Sequence, residues 1–310
     1  VIIKYVNSTQ CFSTNKEKLS MYRFIINPGS GSGNGKKIEA LIRSQMSDKN
    51  IPFEICETAR KGHAKQLAEQ FDGERIIAVG GDGTFHEVLN GLDVEKCGIG
   101  FIPCGRGNDF AEVFRLSKKP AEALNAALNG QPTNIDYIQL ACGLRCLNIG
   151  GTGLDVSVLE RVENKRDTKL TYLMSLIYCI SHFQPYELDV TTGEKTEHYS
   201  CIMVGVCNGK QFGGGMKISP LSSFDSGKLN VITVQMPQNG KIMRALMGFT
   251  NGRHLDKPYV RHFECEEVKV SSPFNYPIEL DGEIYKDAVL DCKVVKGGLN
   301  TFKELFKDLN

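Results

Sequence analysis

Hydrophobic positions in the first 130 residues fall into short continuous runs that alternate with helical stripes. Ile76–Val79 is an apolar run of the kind a buried parallel strand shows. Gly80, Gly81, Asp82 and Gly83 follow at once, and Phe85, Val88, Leu89 and Leu92 then fall at i, i+3, i+4 and i+7. That spacing is one face of a helix, so 75–91 is predicted as strand, glycine turn and helix N-terminus. Tyr22 to Asn27, the glycine-dense 28–35 and the apolar Ile38, Leu41 and Ile42 predict the same unit again. Phe53–Glu57, ending at Thr58, is a third strand, followed by a helix over 63–71. Gly98–Ile102 is a fourth, followed by Pro103-Cys-Gly-Arg-Gly-Asn-Asp109 and a helix that Asp109 could cap; a further helix over 121–128 stops at Asn129-Gly130. This alternation predicts a doubly wound parallel sheet with its three glycine loops at the carboxyl edge, where ligands bind in such sheets.

After Asp136 the rhythm changes to short strand-like runs with turns: 136–140, 145–149, 187–190, 198–206, 229–235, 267–271, 278–280 and 289–295. Thr192-Gly193 and Asp281-Gly282 read as hairpin turns. The pattern predicts a β-sandwich domain interrupted by helical insertions at about 157–183 and 240–251. Residues 301–309 read as an amphipathic helix returning to the first domain. The domain division is therefore 21–135 with 299–310, and 136–298. Residues 1–20 are mixed in pattern, lack the apolar core of a signal peptide, and are expected to be a non-native or disordered extension with Met21 as the start.

Composition narrows the classes. The 310 residues carry a formal net charge of +1, which gives no support to bulk nucleic-acid binding. Eleven cysteines are scattered through apolar runs without a CxxC pair, which argues against zinc and for a reducing, cytosolic interior. No apolar run reaches the roughly 18 residues that would span a membrane. His63, His86 and His182 show no metal spacing.

The glycine loops carry the candidate chemistry. A strand–glycine–helix turn offers backbone N–H groups backed by the helix dipole, glycine lets a ligand approach closely, and Thr84 adds a hydroxyl, so an anion such as phosphate suits it. Asp82 would repel phosphate unless a cation intervened. It reads as a Mg²⁺ holder or an acceptor-facing group, the plain alternative being a tight turn with an N-capping acid. The first loop is no Walker A motif, because Ser30 stands where glycine is required and Lys37 where Ser/Thr is.

Asn27-Pro-Gly-Ser-Gly31, Gly80-Gly-Asp-Gly-Thr84, Pro103-Cys-Gly-Arg-Gly-Asn-Asp109 and Asp281-Gly-Glu283 occur together in this order. In this the chain resembles the diacylglycerol/sphingosine-type lipid kinases, especially their compact bacterial members, over about 21–310. The resemblance implies an α/β ATP-binding domain, a β-sandwich lipid domain and a cleft between them. It implies ATP phosphates on Asn27, Pro28, Gly29, Ser30, Gly31, Gly80, Gly81, Gly83 and Thr84, with Thr58 nearby and Mg²⁺ bridging. Arg106 stands where the family often has threonine and could hold phosphate bidentately. Some relatives carry a structural Mg²⁺ on a sandwich turn that here reads Phe224-Asp225-Ser226-Gly227, which makes Asp225 the candidate ligand. Asp136 resembles a family acid near the cleft.

The expected activity is transfer of phosphate to the hydroxyl of diacylglycerol or a related lipid. Glu283 is the expected general base, with Asp82 as its rival. The partner is a lipid at a membrane surface, placing the protein in the cytoplasm as a peripheral enzyme, and a homodimer is the assembly carried as an expectation. Leu173, Leu176, Ile177, Ile180 and Phe183, preceded by Arg161, Lys165, Arg166 and Lys169, form a basic amphipathic stripe suited to membrane docking. The alternative for that stripe is core packing. Asn208-Gly209 and Gly213-Gly-Gly215 around Phe212 read as a lipid-side rim or as a simple loop. An NAD-kinase-like enzyme would account for Gly80–Thr84 but not for Asn27-Pro28 or the long β domain. A non-catalytic nucleotide- or lipid-binding protein would not need both Asp82 and Glu283.

Overall fold

The computed structural model describes residues 3–4, 21–49, 51–72, 75–105, 110–111, 116–117, 119–162, 169–212, 215–237 and 242–302. The chain divides into two compact units, one running to Asn134 and resuming at Gly298, the other Ile135–Gly297.

The first unit holds β1 (Ile3–Lys4), β2 (Tyr22–Ile26), β3 (Phe53–Glu57), β4 (Arg75–Gly80) and β5 (Gly98–Pro103). Their spatial order is β1-β3-β2-β4-β5. β3, β2, β4 and β5 are parallel, as the apolar runs predict, and β1 pairs antiparallel with β3 through Ile3 and Ile55. The segment expected to stand apart is therefore paired at Ile3–Lys4; 1–2 and 5–20 lie outside the described residues. From β2 the chain moves to β3 on one side, then crosses to β4 on the other. The crevice above β2 and β4 is thus the topological switch point of the sheet.

Helices with fully described bounds accompany these strands: α1 (Ser30–Asp48), α2 (His63–Ala68), α3 (Asp82–Gly91) and α4 (Pro120–Asn129). Alternation along each strand sends side chains to both faces. Phe24, Ile26, Ile77 and Val79 meet Ile38, Ile42 and Met46 of α1 and Leu124 and Leu128 of α4. Each such large side chain contributes roughly 1.5–3 kcal/mol by leaving water. Pro120 opens α4, where its missing N–H costs nothing. α2 and α3 pack tightly enough that a Cβ on Gly91 would lie 2.2 Å from the carbonyl oxygen of Lys65.

Twelve further strands follow: β6 (Pro132–Leu140), β7 (Arg145–Cys146), β8 (Ile149–Gly153), β9 (Tyr186–Thr192), β10 (Lys195–Cys201), β11 (Met203–Cys207), β12 (Leu229–Val234), β13 (Val260–Cys265), β14 (Glu267–Ser271), β15 (Ile278–Leu280), β16 (Glu283–Tyr285) and β17 (Asp291–Phe302). They form an antiparallel sandwich of two six-stranded sheets, ordered β10-β9-β14-β17-β6-β7 and β13-β12-β11-β8-β15-β16. Leu188, Val190, Val268 and Val270 of the first sheet face Val204, Val206, Leu229 and Val231 of the second. The other face of the second sheet is covered by α5 (Leu154–Val162), α6 (Lys169–His182) and α7 (Ile242–Asn251).

Two expectations change, and of the two readings of the 161–183 stripe the structure shows core packing. The run 198–206 is two strands in different sheets, because the chain turns at Ile202, whose N–H is tied to the carbonyl of Val234 at 2.7 Å. The amphipathic stripe of the insertion turns inward: Leu176 and Ile180 are buried, and Ile177 and Phe183 pack on the same cluster. The side chains of Leu173 and Lys169, and residues Lys165 and Arg166, lie outside the described ones, while Arg161 sits 3.5 Å above the Tyr178 ring. Finally, Thr301 and Phe302 end β17 rather than starting a helix, and 303–310 lie outside the described residues. The physical cause is β5, where Gly98 and Gly100 leave room for the Phe302 ring, each placing a would-be Cβ 3.4 Å from it. Thr301 completes the fit by donating its hydroxyl to the Ile99 carbonyl at 3.0 Å.

Candidate active site

At the carboxyl edge of the parallel sheet, three glycine loops interlock. Asn27 follows β2, and its side chain faces two ways: Oδ1 accepts the N–H of Gly29 at 3.1 Å, and Nδ2 donates to the Thr84 hydroxyl at 3.4 Å. This links the first loop to the second at the switch point. Thr58, one strand over, is tied through its N–H to the carbonyl of Ile26 at 2.8 Å. The third loop joins through Cys104 and Gly105, whose N–H groups both donate to the Gly80 carbonyl, at 2.8 and 3.2 Å. Ser30 reaches the buried Cys104 thiol, whose pKa desolvation raises and that hydroxyl lowers. Arg106 and Asp109 lie outside the described residues.

The glycines divide into two kinds. A Cβ would lie 2.0 Å from the carbonyl oxygen of Cys104 at Gly31, 2.3 Å from that of Asn27 at Gly35, and 2.4 Å from Oγ1 of Thr84 at Gly80. Gly31 lets the first loop touch the third, while Gly35 and Gly80 let the first and second loops close on themselves. Gly31 also needs its φ of +57°, and with Gly33 at +94° it makes the first turn of α1 a glycine loop winding into a helix. Gly81 differs: its backbone is extended, and a Cβ there would meet nothing nearer than Gly105 Cα at 3.3 Å. Gly83 lies in the first turn of α3.

Asp82 was expected to face a metal or an acceptor. Its Oδ1 accepts the backbone N–H of Phe110 at 3.1 Å, tying the start of α3 to the chain beyond the third loop. Glu87, not anticipated, accepts the N–H groups of Gly62 and Ala64 at 2.7 and 3.1 Å, so α3 caps α2.

In the second unit, Asp281 and Gly282 form a two-residue hairpin turn with φ of 54° and 87°, as the sequence predicts. The Asp281 carboxylate accepts the N–H groups of Leu147 and Asn148, each at 2.8 Å, which anchors the hairpin to the segment entering β8. Glu279, buried one turn away, accepts the Gly282 N–H at 2.8 Å. Glu283 then starts the edge strand β16 and is partly exposed. A fixed turn followed by a reachable carboxylate is a suitable mount for a proton acceptor.

Asp155 was missed. It sits at the start of α5, buried, and its pKa is pushed up to about 7 by that burial, with the Val156 N–H at 2.9 Å pulling the other way. Burial raises the pKa of the Cys207 thiol, and Glu279 and Asp155 add to that rise. Asp155 lines an otherwise apolar cavity of about 510 Å³, counting space open to solvent, with Leu154, Leu176, Ile180, Met203, Phe212 and Phe249 among its walls. The signal available was an acid directly after the glycine-rich strand Ile149–Gly153 and before an apolar helix. Phe212, within the expected lipid-side rim, does reach this cavity; Gly213 and Gly214 lie outside the described residues.

The glycine cradle fits a polyphosphate. Among the described residues no group of three or more His, Cys, Asp or Glu side chains could hold a metal ion. Nucleotide-bound Mg²⁺ takes one or two carboxylates and otherwise phosphate and water oxygens, so the donor set fits ATP·Mg²⁺. It does not fit a structural metal at Asp225, whose exposed carboxylate accepts the Ser223 hydroxyl within its own turn. Asp136 does the fastening there directly, accepting the N–H groups of Gly227 at 2.6 Å and Gly297 at 2.8 Å.

Comparison with known proteins agrees with this layout. Residues 21–140 match the diacylglycerol kinase catalytic domain, and residues 149–303 match the YegS C-terminal NAD kinase beta sandwich-like domain. The chain is 29% identical over 293 residues to the putative lipid kinase YtlR of Bacillus subtilis, covering 86% of this chain and 94% of that one. It is 27% identical over 270 residues to a diacylglycerol kinase of the same organism, covering 84% and 89%. The crystal structure of a putative diacylglycerol kinase from Bacillus anthracis superposes with a TM-score of 0.76 at 21% identity, covering 94% and 98%.

Proposed function

Since this chain belongs to the lipid kinase family that joins a diacylglycerol kinase catalytic domain to a YegS-type C-terminal domain, we propose that it transfers the γ-phosphoryl group of ATP to the hydroxyl of diacylglycerol or a related lipid. The observation that carries this reading is the apolar cavity with the buried Asp155 at its wall. An acyl chain suits the apolar lining.

ATP·Mg²⁺, when bound, supplies the transferable phosphoryl group and the charge neutralisation such transfer requires. The chain supplies position. Asn27 and Thr84 hold two glycine loops in register, Gly31 lets the first loop pack on the third, Gly35 and Gly80 let each loop close tightly, and Gly81 offers open backbone to phosphate. Asp82 keeps the start of α3 against Phe110. Glu283 accepts the proton of the lipid hydroxyl as the phosphoryl group arrives, because that hydroxyl is a weak nucleophile at neutral pH. Asp281 and Glu279 keep its hairpin rigid meanwhile. The lipid lies in a bilayer, so the enzyme works at a membrane surface, with Met174 on α6 and Met247 on α7, both exposed, as groups to meet it.

ADP release with a panel of diacylglycerols, monoacylglycerols and sphingoid bases in vesicles, and with NAD, tests the reading. Lipid-dependent ADP formation with none for NAD is expected. Release with NAD alone, or with no lipid of the panel, overturns it.

A further inference from the structure

Part of the cavity wall lies outside the sandwich. One side is the segment carrying Phe212, Met216 and Ile218, in which Phe212 and Met216 exchange both backbone hydrogen bonds at 3.1 Å. The other is α7, with Ala245 and Phe249. His254 touches both. His254 is fully buried; its Nε2 lies 2.8 Å from the Ile218 carbonyl, and its ring stacks on Phe249 at 4.0 Å between centroids and 24° between planes. A carbonyl only accepts, so Nε2 carries the proton and donates. Burial lowers the pKa of the ring and keeps it neutral. The surrounding backbone follows the same line, with Lys217 N–H donating to the Phe249 carbonyl at 3.0 Å and Arg253 N–H to that of Gly248 at 2.8 Å.

We propose that His254 is a positioning residue that clasps the Ile218 segment to α7 and so sets the width of the lipid-side cavity and the preference for long acyl chains. The proposal rests on the reading of this cavity as the acyl site. His254 touches no reacting group. It acts through Ile218 and Phe249, which line the cavity on its two sides. Its loss removes a buried hydrogen bond and a stacked ring together, and the two walls can then part.

The test is steady-state kinetics of the whole chain with dioleoylglycerol and dioctanoylglycerol in mixed micelles, using His254→Ala, His254→Gln and Ala245→Phe. His254→Ala is expected to raise KM for dioleoylglycerol by about tenfold, the loss of roughly one buried hydrogen bond. The change for dioctanoylglycerol should be smaller, kcat should stay within about twofold, and KM for ATP should not move. His254→Gln, which can still donate to the Ile218 carbonyl, should recover most of the loss. Ala245→Phe fills the cavity independently of the clasp and should raise KM for the long-chain lipid. If Ala245→Phe leaves lipid KM unchanged, the cavity is not the acyl site and the functional reading of it fails. If Ala245→Phe acts while His254→Ala leaves the chain-length preference intact, the clasp alone is overturned. An equal rise in the ATP and lipid KM values, or no recovery with Gln, also overturns it. Should His254→Ala not fold, His254→Leu, which keeps bulk but cannot donate to the Ile218 carbonyl, takes its place: a lost long-chain preference in the Leu variant that the Gln variant retains supports the clasp, and an intact preference in the Leu variant overturns it.

Discussion

Asp82 hands one carboxylate oxygen to the backbone N–H of Phe110 at 3.1 Å, so the acid at the centre of the glycine motif also holds the third loop's exit in place. That bond bears on which acid takes the proton. Glu283, the proposed base, starts the edge strand after an anchored hairpin.

Glu283→Gln should therefore lower kcat on the order of 10²–10⁴-fold with ATP affinity almost unchanged. Asp82→Asn keeps an acceptor for Phe110 and should leave the thermal midpoint near the wild type. Single-turnover rates of both variants decide: a near-normal rate for Glu283→Gln beside a collapsed one for Asp82→Asn would make Asp82 the base.

The two central glycines should separate stability from binding. Gly80→Ala drives a methyl to within 2.4 Å of the Thr84 hydroxyl and should destabilise the free protein by about 1–3 kcal/mol. Gly81→Ala meets only Gly105 Cα at 3.3 Å and should keep its melting point while losing nucleotide affinity. Melting curves with and without ATP check both, and an unchanged ATP affinity in Gly81→Ala would remove this turn from the nucleotide site.

Asp155 should make function and stability pull in opposite directions. Its folded pKa of about 7 lies above the ordinary 3.8, so between those values the unfolded chain ionises while the folded one holds its proton. Folding is thus penalised progressively from about pH 4 to pH 7 and by a constant amount above, at most about 4 kcal/mol. Asp155→Asn should be more stable than wild type at pH 8 and equal to it near pH 4, while lipid turnover falls. Urea unfolding at the two pH values gives the answer; no gain at pH 8 would show that the carboxyl is not held neutral.

On the β9–β10 hairpin, His198 bridges Asp189 at 2.8 Å and Glu187 at 2.9 Å, and those two carboxylates raise its pKa. A raised histidine pKa means that its stabilising contribution is complete below the ordinary value near 6.5 and fades as pH rises through the folded value. His198→Asn should accordingly narrow the difference in melting point between pH 6 and pH 9. A histidine NMR titration that places His198 at or below 6.5 would contradict the bridge.

Much of the nucleotide side was legible in local pattern. Four apolar runs, each closed by a turn, can only be buried parallel strands when helical stripes separate them, and parallel connectivity puts every strand-to-helix loop on one edge. The Asp281-Gly282 turn was legible for a similar reason, since both residues tolerate positive φ. The lipid side was harder. The stripe on α6 has the same spacing whether it meets a membrane or a sheet, and only the neighbouring face of β11 and β12 turned Leu176 and Ile180 inward. β13 escaped notice because an edge strand with Arg261, His262 and Glu264 shows no apolar run.

What the sequence by itself determined is everything that depends on neighbours a few positions apart: strand, glycine turn, helix start, hairpin. Tertiary structure decided which of those turns touch and what each polar group does. Asp82 and Phe110 are separated by 28 positions, Asp281 and Asn148 by 133, and no periodicity links either pair. The same holds for Asp155, an ordinary acid at a helix start until the sheet beneath and the helices above remove its water. Burial and pairing are properties of the packed chain, and they alone turn a carboxylate into an anchor or raise its pKa toward neutrality.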